Sequence, residues 1–135
     1  MSVYNDVLES VKTMIVDIGV YADPVSGSLP PNNGISLTIG AGAPRMTDLV
    51  KGAAYELVLA LNGKHINQET VSDALGIVHT KLTQRKSYPS DPRYEITDIE
   101  TVGVPSLIDR EDDGMWLYGS SLRVKFHLLP PKQGG

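Results

Sequence analysis

The stretch DREDDGMWLYGSSLRVKFH, Asp109 to His127, decides how the rest of the chain is read. In its second half Leu122, Val124 and Phe126 occupy one parity, and Arg123, Lys125 and His127 the other. Successive side chains of a strand point to opposite faces, so the first set enters a core and the second forms a basic stripe on the other face. The first half crowds charge into Asp109, Arg110, Glu111, Asp112 and Asp113, and Asp113-Gly114 bends the chain. An acidic turn beside a basic strand is thus the feature any reading has to explain.

Working upstream, RYEITDIETVG (Arg93 to Gly103) reads as the partner strand, with VPSLIDREDDG as the connection between the two. Pro130 and Pro131 end the last strand, leaving a short disordered tail at 130–135. Before this pair comes INQETVSDALGIVHTKLTQRK, where Asn67 is placed to cap a helix and Ile66 and Val71 to staple its first turn. Val71, Ala74, Leu75, Val78 and Leu82 form its buried stripe, and Gly76 suggests a close packing partner. AYELVLALN (Ala54 to Asn62) is nearly continuous in apolar residues, as in a central strand, with Asn62-Gly63 as its closing turn. Ile35, Leu37 and Ile39 alternate with Ser36 and Thr38 in another strand. Val7, Leu8, Val11, Met14, Ile15 and Ile18 recur at helical spacing over Tyr4 to Ile18.

The expected fold is α+β: a mostly antiparallel four-stranded sheet with two helices packed on one face, in the order α-β-β-α-β-β. The segments near 22–34 and 40–53 are too rich in Gly, Pro, Ser and Asn for regular structure and read as flexible loops. A length of 135 residues fits one domain, 1–135. Hydrophobic and charged fractions of 41% and 21% are those of a folding chain. With no cysteine, packing alone must hold it. A net charge of −4 and a pI near 5.2 argue against nonspecific nucleic-acid binding. The N-terminus has no basic leader and no apolar run approaches a membrane span, so a cytoplasmic origin and no membrane partner are expected.

Candidate chemistry is thin. Asp109, Glu111, Asp113 and Gly114 fall on positions one, three, five and six of a calcium loop, but the third position should be Asp or Asn, and Ser120 stands where the loop needs Glu. GAGAPR lacks the Lys-Ser/Thr and the helix of a phosphate loop. His65, His79 and His127 have no ligand spacing, so no metal and no cofactor are expected. Asp98 and Glu100 share a strand face and could share a proton in a cleft with a histidine, the one enzyme reading left open. No nucleophile elbow is present, and the expectation is that the protein is not an enzyme. Trp116 and Tyr118, near the stripe, are typical interface anchors.

The segment VGVPSLIDREDDGMWLYGSSLRVKFHL resembles the closing segment of tail-terminator, or minor capsid, proteins of long-tailed bacteriophages. There a proline leads to an acidic turn ending in glycine and then to an aromatic strand closing on L-R-V-x-F/Y; here these are Pro105, Asp109 to Gly114, Trp116, Tyr118 and Leu122 to Phe126. The turn is longer in charge than is usual in that family. The order of elements is similar across nearly the whole chain. The resemblance implies a virion protein of the tail or neck, assembled in the host cytoplasm as a homo-oligomeric ring, commonly a hexamer. Such a ring caps the tail tube, meets the head-tail connector and passes DNA through its lumen without specific binding. A head-completion or neck adaptor protein is the alternative. The tentative oligomer or lumen interface is Asp109, Glu111, Asp113, Trp116, Tyr118, Arg123, Lys125 and His127, with the acidic turn and the basic stripe as unlike surfaces of neighbouring subunits.

Overall fold

The computed structural model describes residues 3–40, 45–48 and 54–129. The elements are α1 (Val3–Ile18), β1 (Pro24–Ser26), β2 (Gly34–Ile39), β3 (Arg45–Asp48), β4 (Ala54–His65), α2 (Gln68–Thr83), β5 (Tyr94–Arg110) and β6 (Trp116–Leu128). The two helices and the α+β class match the sequence reading, but the sheet has six strands instead of four. Five stand in the row β1-β2-β4-β6-β5, and β3 pairs with β4 outside that row. Every pairing is antiparallel except β1 with β2.

Both additional strands lie where loops were expected. β1 forms inside the 22–34 segment because its proline is the first residue of an edge strand, where a missing N–H costs nothing. β3 lies in the 40–53 segment; β2 and β3 take successive halves of one edge of β4, at Leu59 to Lys64 and at Ala54 to Glu56. The rest of 40–53 and the tail at 130–135 lie outside the described residues.

Two expected connections are also strand. Asn62-Gly63 does not close β4, which runs on to His65 with Gly63 paired to Ile35 on one side and Tyr118 on the other. The segment Val104 to Arg110 is not a linker but the outer half of β5, 17 residues long, with bulges that absorb Pro105 and Gly103. β5 and β6 therefore form a long hairpin whose turn is Glu111 to Met115.

The core follows the periodicities. Val7, Val11, Met14 and Ile15 of α1 and Val71, Leu75, Val78 and Leu82 of α2 are buried with Leu57, Leu59 and Leu61 of β4 and Leu122, Val124 and Phe126 of β6. Asn67 caps α2, its side-chain oxygen accepting from the Thr70 N–H at 3.1 Å. Gly76 has no close partner: nothing lies within 4 Å of the place a Cβ would take. Gly76→Ala is therefore expected to raise stability by about 0.5–1 kcal/mol, read as a higher denaturation midpoint, because it removes backbone entropy from the unfolded chain without a clash. Among the described residues no helix is long and apolar enough to cross a membrane.

Candidate interaction surface

The eight residues singled out from the sequence fall on three separate parts of the molecule. Arg123, Lys125 and His127 project from β6 onto the sheet face away from the core, as the alternation requires. They do not form an unopposed basic stripe. Register places Val58 and Glu100 on either side of Arg123, and Glu56 and Asp98 on either side of Lys125. The Arg123 guanidinium donates to Glu100 Oε1 at 2.9 Å and lies 3.9 Å from Glu56, while Lys125 Nζ is 3.5 Å from Glu100. The hydrogen bond from Arg123 holds the Glu100 carboxyl below the ordinary carboxylate range. A proton shared between Asp98 and Glu100 is thereby ruled against: Glu100 is held ionised by two cations. Cross-strand ion pairing within one chain has satisfied the stripe.

Asp109, Glu111 and Asp113 belong to the far end of the hairpin. Glu111 Oε1 lies 2.7 Å from Nζ of the nearly buried Lys64 on β4. Asp113 Oδ1 accepts the Met115 N–H at 3.0 Å, and Asp109 Oδ1 the Arg110 N–H at 2.8 Å. The Gly114 N–H donates to Glu111 O, with Gly114 at φ 88°, a left-handed turn conformation suited to glycine. Each of these carboxylates is turned to a different structural task, and among the described residues no three His, Asp or Glu side chains converge as metal ligands.

The aromatic pair lies on the core side, not beside Arg123. Tyr118 is 9% exposed and its hydroxyl accepts from Gln68 Nε2 at 2.8 Å. Trp116 packs at the core margin with the Arg110 guanidinium 4.5 Å above its ring. As anchors they hold the hairpin to the body of their own chain.

The sequence reading missed the outer half of β5. Val102, Val104, Leu107 and Ile108 are 47%, 70%, 48% and 58% exposed. Four large aliphatic side chains close together on one hairpin are an apolar surface of the sort that marks contact with another protein. Ile108 reaches back over the sheet, its Cδ1 2.5 Å from where a Cβ on Gly119 would stand, so the glycine makes room for it. The signal was present in TVGVPSLID, but Gly103 and Pro105 interrupt the alternation and made it read as a linker.

The histidines are structural. His65 Nδ1 accepts the Asn67 N–H at 2.9 Å and its ring meets Tyr21 edge-on at 4.7 Å. His79, 5% exposed, has Nδ1 2.8 Å from Thr101 Oγ1 and a buried Nε2 with no hydrogen-bond partner. Burial lowers its pKa, because charging the ring would need solvation the site does not give. A group depressed in the folded state stabilises fully above its unfolded value near 6.5, and that contribution is lost as pH falls below it. Urea midpoints should therefore fall from about pH 6.5 downward, with a slope of at most about 1.4 kcal/mol per pH unit from this residue. His79→Asn should remove that part of the slope; an unchanged slope would assign it to other groups.

No protein-family model matches the chain. No curated protein matches it either. Among solved structures, one chain of a particle described as "Virion of native gene transfer agent (GTA) particle" superposes with a TM-score of 0.57 at 13% identity, over 92% of this chain and 91% of that one. At that identity the likeness is one of fold.

Proposed function

We propose that the protein is a structural component of a bacteriophage-type virion and acts in the tail or neck as a terminator: a ring of copies that closes the tail tube, faces the head connector and lets DNA through. The observation that carries this reading is the end-to-end likeness of its fold to a chain of a virion particle. It agrees with the resemblance in the C-terminal segment, which rests on residues alone.

Two surface features support it. The apolar outer half of β5 and the acidic turn extend the β5–β6 hairpin and offer a contact for a second protein. The open sheet face pairs Glu56 and Glu100 with Arg123 and Lys125, so it has no surplus of cations to grip a phosphate backbone. A lumen wall of that kind would let DNA slide. No bond-making is assigned to the protein, and the acid that an enzyme reading would use, Glu100, is committed to its ion pairs.

The test is assembly on a tube. Native mass spectrometry and negative-stain imaging are expected to show closed rings, with six subunits, seated on one end of tubes polymerised from the tail-tube protein of the same genome. Leu107→Asp with Ile108→Asp is expected to leave ring mass unchanged and to weaken tube binding at least about tenfold, since each removes an apolar contact worth on the order of 1–2 kcal/mol. Rings that ignore the tube but bind the head connector would move the protein to the neck-adaptor role. A chain that neither assembles nor binds either component would end the virion reading.

A further inference from the structure

The row β1-β2-β4-β6-β5 leaves β1 at one end and β5 at the other, and an end strand presents backbone N–H and C=O groups without a ladder partner. The two ends are unlike in shape and in charge. Along β5, the segment 86–91 stands off from the strand over Tyr94 to Thr97 and leaves a cleft of about 530 Å³. Lys86 lines this cleft, and Arg85 and Lys81 stand exposed beside it at the end of α2. Asp91, also on its wall, is engaged by Arg93 at 3.1 Å, so Glu95 is the one lining acid not so occupied. The β5 side is therefore concave and basic on balance.

The other end is convex and acidic. α1 and β1 are tied together through Ser26, whose hydroxyl meets Lys12 and Glu9 at 3.3 Å each. The short link between them carries Asp17 and Asp23, both exposed, and is flanked by Val16 and Val25 at 42% and 40% exposure. Lys12 is drawn to Glu9 at 3.4 Å, leaving the two aspartates to set the local charge.

We infer that copies of this chain join side by side, the acidic α1–β1 turn of one copy seating in the basic cleft along β5 of the next. This rests on the ring reading above and gives it a contact. Opposite charge at opposite ends makes the joint heterologous, so it propagates from copy to copy and ends only by closing into a ring. Like ends repel, which excludes the two-fold dimer. The acidic turn at Glu111 to Gly114 and the open sheet face take no part in this joint and remain available to other components.

The experiment uses charge exchange in the whole chain. Lys81→Glu with Lys86→Glu is expected to abolish assembly, read by sedimentation velocity as at least a tenfold weaker association, and Asp17→Lys with Asp23→Lys likewise. Mixing the two defective proteins should restore rings, because each supplies the end the other has lost; all four substitutions in one chain should restore them too. The chain contains no cysteine, so Asp23→Cys with Lys86→Cys reports the joint directly, as a ladder of disulfide-linked oligomers on oxidation. If the parent forms rings and the exchanged variants form them equally well, this joint is wrong while the ring stands. A parent that stays monomeric at every concentration and a cysteine variant that gives no ladder would end both.

Discussion

Phe126→Ala is expected to destabilise the protein by about 3–5 kcal/mol, enough to consume much of the roughly 5–15 kcal/mol that holds a domain of this size together. Phe126 is 1% exposed on the central strand β6. Its ring stacks on Tyr55 at 5.6 Å and 20°, and meets Tyr4 and Tyr94 edge-on at 6.2 and 6.3 Å. Truncation removes the central ring and leaves a hole that stiff tyrosines cannot close, so the cavity penalty adds to the lost burial. With an ordinary urea dependence of about 1–3 kcal/mol per molar, the midpoint should fall by roughly 2 M. A loss under about 1 kcal/mol would show that the site collapses freely and that the aromatic cluster is not a main support.

Gly63→Val is expected to cost about 3 kcal/mol or more, from overpacking instead of a void. A Cβ at Gly63 would stand 2.8 Å from Val71 Cγ2, 3.1 Å from the Tyr21 hydroxyl and 3.4 Å from Leu75 Cδ2. The first and last anchor α2 to the sheet. The second belongs to a hydroxyl that donates toward the carbonyls of Gly34, at 2.7 Å, and Lys64, at 3.0 Å, across the β2–β4 pair; burial pushes its pKa up to about 12. A branched side chain would therefore lift the helix and break that bridge together. Thermal unfolding with far-ultraviolet dichroism should show the lower midpoint; Gly63→Ala, with one methyl, should lie between the variant and the parent.

The same glycine shows why part of the fold was legible and part was not. Helix α1, helix α2 and the alternation of β6 were readable because each buries one face against a single neighbour, and period then reports burial. Asn62-Gly63 was misread because local turn chemistry and a long-range packing demand select the same residue type. The glycine is there to let α2 approach, which only the folded chain reveals. β1 escaped notice because a three-residue strand carries no period, and the outer half of β5 because bulges at Gly103 and Pro105 reset its parity. The candidate site was legible in its residue types but not in its partners. Arg123 and Lys125 were rightly placed on the outward face, but the acids that satisfy them, Glu56 and Glu100, come from two other strands.

The place of β6 in the sheet has a consequence for how the chain is made. Its last strand in sequence is inserted between β4 and β5, so that Ala54 pairs with His127 and Tyr94 with Leu128. A chain still emerging from the ribosome holds two half-sheets with no seam between them, and a chain cut short before Trp116 can never join them. Synthesis itself thus acts as a checkpoint: only a polypeptide translated through to Leu128 acquires a solid interior, and prematurely ended copies are left to proteases before they can spoil an assembly.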